Sequence, residues 1–506
     1  MIILDEDDDP QQPKQLSDPS QPVVRASTPT PSLPDYEASQ AQHNRWWPNR
    51  SKARFRRAAL YALVIYFVLT VVIGVPVIVV KLRHKLYKHQ NIPPLISPSS
   101  SSSLIVVDSE TPLFQSSAVE CNAWIGPGYH DSGLMRSDLQ YTIPLDGTVF
   151  LQSNLSYQTA GAELQEVSGT LLVDINEDPT VTDALVAVSM RYSDIGIKNK
   201  TSVCLMNVSG SSNGLYIYAP HNLTSPETLI FNITLLFPQS PSLFVSEFVT
   251  MLPHFNQHYA FISPRVTFGE VDIGGPMSTV IVDFLTASTI TVKSALAPVS
   301  GTFNASSSLV LDTVSAPISA NISLYNSGAF RQVTFLELNT GNCPLVANVT
   351  LFLSPTAPPA VKAPNFIAKA ETFNAPLTFD VQHDVSSPPS VIHLRAENNL
   401  GEALVSVDNK FAGTFDVSTT FAEASVTLRD ANSTQPADLA ATSASSAASS
   451  TPSARSLEFD VISGSSLTGW VGTGKRPPVS FKHPFGREGR VEVVSSLSAV
   501  TLLLGS

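Results

Sequence analysis

Acidic side chains are the first candidates for chemistry in this chain. Asp272, Asp283, Asp312, Asp380 and Asp408 all stand in or beside stretches of strand-like alternation. Two carboxyl groups held about 5–10 Å apart across a sugar ring can hydrolyse a glycosidic bond, one as acid and the other as base or nucleophile. Spacing along the chain does not show whether any two of the five converge. Acids scattered on solvated strand faces, the ordinary alternative, do no chemistry.

Other motifs fall short on their own terms. His254 and His258 are four residues apart, a spacing that suits two zinc ligands on a helix. The segment PHFNQHY lacks the glutamate of an H-E-x-x-H site and lies among strand-like sequence. Gly469-Trp-Val-Gly-Thr-Gly474-Lys475 begins like a phosphate-binding loop. Arg476 then stands where Ser or Thr is required, and Pro477-Pro478 forbid the helix that would face the phosphate. The reading therefore expects no catalytic, cofactor-binding or metal-ligating set, and no enzyme.

Cysteines and asparagines say more. With Cys121, Cys204 and Cys343 the count is odd, which in an oxidising compartment implies one pair and one left over. Cys343 fills a slot held by Ala316 and Ala375 in similar segments, so Cys121–Cys204 is the expected disulfide and Cys343 a buried thiol. Intermolecular pairing through Cys121 is the alternative. N-glycosylation sequons recur at Asn154, Asn199, Asn207, Asn222, Asn232, Asn304, Asn321, Asn348 and Asn432.

These groups are positioned by a chain built around one apolar stretch. Ala58–Val80 carries no charged side chain and, at ~1.5 Å per residue, spans roughly 34 Å, enough to cross a bilayer. Six basic residues precede it (Arg45, Arg50, Lys52, Arg54, Arg56, Arg57) and four follow (Lys81, Arg83, Lys85, Lys88). That excess, with the sequons beyond the span, points to a cytosolic N-terminus and a type II single-pass topology. The localisation expected is the plasma membrane or secretory pathway. Residues 1–57 are acidic and then Pro/Ser/Gln-rich, the composition of a disordered cytosolic tail. Within it Leu33-Pro34-Asp35-Tyr36 has the L-P-x-Y form bound by WW domains of ubiquitin ligases. Residues 81–118 read as a basic juxtamembrane segment and a Ser/Pro stalk.

Beyond the stalk, short alternating runs punctuated by Pro, Gly, Asn and Asp define an all-β ectodomain, expected as halves 119–262 and 263–506. A low-complexity loop is expected over 432–456. The formal net charge of −12 and the acidic ectodomain exclude nucleic acid as a partner. Thr313-Val-Ser-Ala-Pro-Ile318, Thr340-Gly-Asn-Cys-Pro-Leu345 and Thr372-Phe-Asn-Ala-Pro-Leu377 share the form T-x-[NS]-x-P-[IL], each leading into a strand. Weaker copies precede Ala403–Val407 and, with Ser498 in place of proline, Ala499–Leu504, where an irregular final coil is expected. Such a unit cannot bury its apolar face alone, and stacked neighbours can, which favours a β-solenoid or β-roll.

The layout resembles a group of uncharacterised fungal single-pass membrane proteins with adhesin-like, repetitive β ectodomains. The LPxY tail, the basic-flanked span, Cys121-Asn-Ala-Trp124, the [ST]-x-N-A-P-[IL] turns, Lys410–Phe415 and Gly489–Val493 carry the likeness. The group brings no established activity; the expected function is cell-surface or cell-wall interaction, or structural spacing, with surface carbohydrate or protein, the lipid bilayer and a WW-domain ligase as partners. A carbohydrate-active hydrolase on a β-solenoid is the alternative.

Overall fold

Apolar residues at every second position put one face of an extended segment inward and the other outward, and most of the chain past Ala118 takes that form. The computed structural model describes residues 118–505 except 132, 156–166, 209, 221–222, 224–225, 330–331, 355–364, 429–454 and 478–487. The expected tail, membrane span and stalk, with Leu33, Pro34 and Tyr36, lie outside the described residues, as do Asn222 and Asn432. Among the described residues no helix is long and apolar enough to cross a membrane.

The architecture is mainly β. The first elements are β1 (Ala118–Cys121), β2 (Trp124–Asp131), β3 (Leu134–Ile143), β4 (Thr148–Ser153), β5 (Val167–Ile175) and β6 (Ala184–Tyr192). A short helix α1 (Ile195–Lys200), capped by Asp194, precedes β7 (Ser202–Val208), β8 (Ser212–Tyr218) and β9 (Leu229–Phe237). Then come β10 (Leu243–Met251), β11 (Phe255–Phe261), β12 (Val266–Gly274), β13 (Val280–Lys293) and β14 (Val299–Thr313). The repeats form β15 (Ile318–Asn326), β16 (Thr334–Thr340), β17 (Leu345–Leu353), β18 (Phe366–Thr372) and β19 (Leu377–His383). They continue as β20 (Ile392–Asn398), β21 (Ala403–Val407), β22 (Gly413–Thr419) and β23 (Ala424–Leu428). The chain closes with β24 (Arg455–Ile462), β25 (Ser466–Thr473), β26 (Gly489–Ser495) and β27 (Val500–Leu504). Arg455 and Ser456, expected in the low-complexity loop, are already in strand β24.

Pairing sorts the strands into two ladders. One runs β2–β3–β6–β9–β5–β11–β13–β14–β15–β17–β19–β21–β27–β23. The other runs β1–β7–β8–β4–β10–β12–β13–β14–β16–β18–β20–β26–β22–β25–β24. The long strands β13 and β14 belong to both ladders and join them into one sheet. Pairing is parallel from β9 to β23 in the first ladder and from β8 to β22 in the second, so the chain visits each ladder in turn. It crosses residues 262 and 263, where the sequence suggests a division, without a break. One apolar cluster extends from Leu139 to Leu504. Within it Phe248 stacks on Phe268 at 5.6 Å and meets Phe237 edge-on at the same distance. Full burial of each such ring contributes about 2–3 kcal/mol.

Chain order and stack order differ at both ends. The coil β4–β5 lies between β8–β9 and β10–β11. The coil β26–β27 lies between β20–β21 and β22–β23. The last repeat, expected to be irregular for want of its proline, is thus held on both sides in regular register.

The repeat turns stack on one another. Thr313 Oγ1 donates to the Ala316 carbonyl at 2.6 Å and Thr340 Oγ1 to the Cys343 carbonyl at 2.8 Å, closing each turn from inside. Ser294 Oγ does the same to Ala297 at 2.7 Å, so Ser294–Val299 forms a similar turn although Ser stands for Thr, Leu296 for Asn or Ser, and Val for Ile. The amide after each proline donates to the next coil's proline carbonyl: Val299 to Pro317, Ile318 to Pro344 and Leu345 to Pro376, each at 3.1 Å. Proline has no N–H to strand in the turn, yet its carbonyl still accepts.

Candidate functional site

The end of β19 and the residue after β21 are neighbours because those strands pair in register, Val381 opposite Val407. This places the ring of His383 against the carboxylate of Asp408, Nδ1 to Oδ1 at 3.0 Å. On its other side His383 Nε2 lies 2.7 Å from Ser390 Oγ. Serine, histidine and aspartate thus stand in the relay of a nucleophilic hydrolase. Sequence reading treated Asp408 as a possible strand-face acid and missed the other two. No spacing rule links residues 383, 390 and 408.

The geometry is closed to substrate. The side chain of His383 is 0 % exposed and Ser390 only 8 %. The Ser390 amide also donates to Nε2, at 3.2 Å, which fixes Nε2 as acceptor and Nδ1 as donor. Asp408 further accepts from the amides of His383 (2.8 Å) and Lys410 (3.2 Å). Burial pushes its carboxyl up, but the His383 ring and these amides outweigh that and hold it below the usual carboxylate range. Lys410 Nζ donates to the carbonyls of Asp384, Val385 and Ser387 at 2.7, 3.0 and 2.8 Å. The cluster acts as a polar clamp on the connection from β19 to β20.

None of the other four acids singled out in the sequence stands opposite another of the four across a strand pair. Asp272 is buried rather than solvated, its Oδ1 without a partner. Burial raises its carboxyl to about 6; Lys293 opposes this, while Glu270 and Glu247 add to it. Asp283 is exposed and meets His258 Nε2 at 3.1 Å. Asp380 accepts from Ser406 Oγ at 2.6 Å, and Asp312 is half-buried on β14. Two acids that sequence reading did not single out, Glu371 and Glu397, face each other across β18 and β20 and share a hydrogen bond. Burial and that bond raise Glu397; in Glu371 burial is outweighed by bonds from Glu397 and Lys369, so its carboxyl is lowered. Contact this close leaves no room for a sugar ring.

Among the described residues no three of His, Cys, Asp and Glu are placed to hold a metal ion. Gly469–Thr473 runs through strand β25, a geometry without a phosphate cradle. Gly210-Ser-Ser212-Asn-Gly214 has the form of a nucleophile elbow but lies where β7 turns into its antiparallel neighbour β8. An elbow requires a strand-to-helix turn.

Cys121 and Cys204 are opposite each other on β1 and β7, joined by a disulfide of 2.03 Å. Cys343 is unpaired and half-buried, less enclosed than expected and less than its counterparts Ala316 and Ala375. Of the sequons, Asn199, Asn207, Asn232, Asn321 and Asn348 are exposed. Asn154 is half-buried and bridges to Ala219 by two bonds of 2.9 Å. Asn304 is 8 % exposed, packed beside Thr286.

Compared with known proteins, the chain matches no family model and no curated sequence. Among solved structures, a candidate cell adhesion protein from Clostridium sporogenes is 7 % identical and covers 73 % of this chain and 100 % of its own, at a TM-score of 0.14. A candidate lipid binding protein from Parabacteroides distasonis is 10 % identical and covers 54 % and 90 %, at a TM-score of 0.17. Similarity at that level carries no inference about this chain.

Proposed function

We propose that the chain is a single-pass type II membrane protein whose glycosylated ectodomain works by contact rather than catalysis. It is an adhesin-like module that binds cell-surface or wall carbohydrate or protein, or spaces such partners from the membrane. The parallel part of the stack is read as a two-sided β-solenoid, since each return of the chain adds one strand to each ladder. At ~4.8 Å per strand, its eleven strands per ladder would extend about 48 Å.

The observation that carries the reading is where modifiable and reactive side chains fall. Asn199, Asn207, Asn232, Asn321 and Asn348 are on the outside, while Ser390, His383 and Asp408 are shut inside. The alternative hydrolase needs two carboxyl groups about 5–10 Å apart, and Glu371 and Glu397 are in contact. The anchor, its orientation and the WW-binding tail rest on the sequence.

Peptide-N-glycosidase digestion of sealed microsomes, with protease protection, tests this. A downward mass shift with residues beyond Val80 protected is expected. An unshifted, digestible C-terminal part would put the β unit in the cytosol and end the proposal. Tyr36→Ala is expected to lengthen surface lifetime; an unchanged lifetime removes the WW-ligase role.

A further inference from the structure

Eight turns lie side by side along one edge of the stack. They precede Val280, Val299, Ile318, Leu345, Leu377, Ala403, Val500 and Ala424, which face one another in unbroken register. Amide-to-carbonyl bonds link each turn to the next, among them Phe373 to Gly341 and Leu400 to Phe373 at 2.9 Å, and Leu497 to Asn399 at 2.8 Å. Seven of the eight carry one large apolar side chain at the tip, from Met277 (38 % exposed) through Leu296, Val314, Phe373, Leu400 and Leu497 to Phe421 (77 %). The exception is the fourth, Gly341-Asn342. A Cβ at Gly341 would come within 2.4 Å of the Val314 carbonyl, so that notch is imposed by packing.

A row of exposed apolar side chains about 34 Å long is not an ordinary surface feature. Its turns contain no sequon and no Lys or Arg, and their only charges are Glu402 and Glu423. Without basic residues it is poorly suited to lipid headgroups.

We propose that this ridge is the interface between two copies of the chain, packed antiparallel about a two-fold axis between the fourth and fifth turns. The row is complementary to itself in that register. Phe373 of each copy enters the notch at Gly341 of the other, Val314 meets Leu400, Leu296 meets Leu497, and Met277 meets Phe421. A two-fold interface must be self-complementary in this sense. The tips offer roughly 600 Å² per copy, and the flanking turn backbone brings this near the ~800 Å² per partner of a standard interface.

The test uses the full-length chain in its membranes, as two differently tagged copies in a Cys343→Ala background. Leu296→Cys in one copy and Leu497→Cys in the other are expected to form an intermolecular disulfide on mild oxidation, at least tenfold more than Leu296→Cys with itself. Phe373→Asp, at an exposed tip, is expected to lower chemically cross-linked dimer at least tenfold while protease resistance of the β unit is unchanged. Equal Leu296→Cys self-coupling, or monomers throughout, whether or not phosphatidylcholine vesicles bind the chain, would overturn the proposal.

Discussion

The Asp408 carboxylate and the His383 ring meet at 3.0 Å inside the fold, the first side chain 10 % exposed and the second not at all. Such a contact is costly to break, because without the carboxylate His383 Nδ1–H and the amides of His383 and Lys410 lose their acceptor. Asp408→Ala is expected to destabilise the β unit by about 2–3 kcal/mol, read as a fall in urea midpoint. Because the folded carboxyl is held low, its contribution is complete above the unfolded value near 4 and is lost as the pH falls from there through the lower folded value. The variant's deficit is therefore expected to shrink between pH 5 and pH 3. A deficit independent of pH would assign the effect to packing alone.

Asp272 has the opposite sign. Its folded carboxyl is raised to about 6, so the folded state binds more protons than the unfolded state between about pH 4 and pH 6. Stability falls as pH rises through that window. Asp272→Asn is expected to stabilise by about 2–3 kcal/mol at pH 7.5, and by little near pH 4. Thermal melts of both proteins at the two pH values check this.

Sequons of the same form differ in use. A glycan on Asn304 would have to occupy space filled by the neighbouring strand, whereas Asn321 and Asn348 face outward. Asn321→Gln is expected to remove one glycan's mass and Asn304→Gln none, as seen by intact mass spectrometry. Glycan recovered on Asn304 would contradict the burial of this side chain.

Removal of residues 489–506 is expected to unfold more than an end. It deletes Val491, Val493, Val500, Leu502 and Leu504, all 0 % exposed, from the last strand but one of each parallel ladder and separates β20–β21 from β22–β23. Limited proteolysis should then cut beyond β20. A stack that resists cleavage up to Leu428 would show that the final coil is peripheral.

Much of this protein is local in origin. The period-two alternation of Ile318–Asn326 or Leu345–Leu353 specifies a strand by itself, since each side chain's face depends only on its place in the run. The T-x-[NS]-x-P-[IL] turns are equally local: a hydroxyl reaches a carbonyl three residues on, and a proline removes the donor a turn cannot satisfy. Ser294–Val299 forms the same turn without the full motif, since Ser294 supplies the hydroxyl while Leu296 stands where Asn or Ser is expected.

Tertiary structure alone decided the rest. Nothing near Gly489–Leu504 indicates that this coil slots between two earlier ones, because parallel strands of similar pattern are interchangeable until their neighbours compete for them. Asp272 and Asp408 look like the solvated Asp283 in sequence, and burial depends on what packs against the strand from elsewhere. The meeting of His383, Ser390 and Asp408, and the alignment of Phe373 beside the Gly341 notch, arise only when distant coils stack in register, which is a property of contacts and not of spacing.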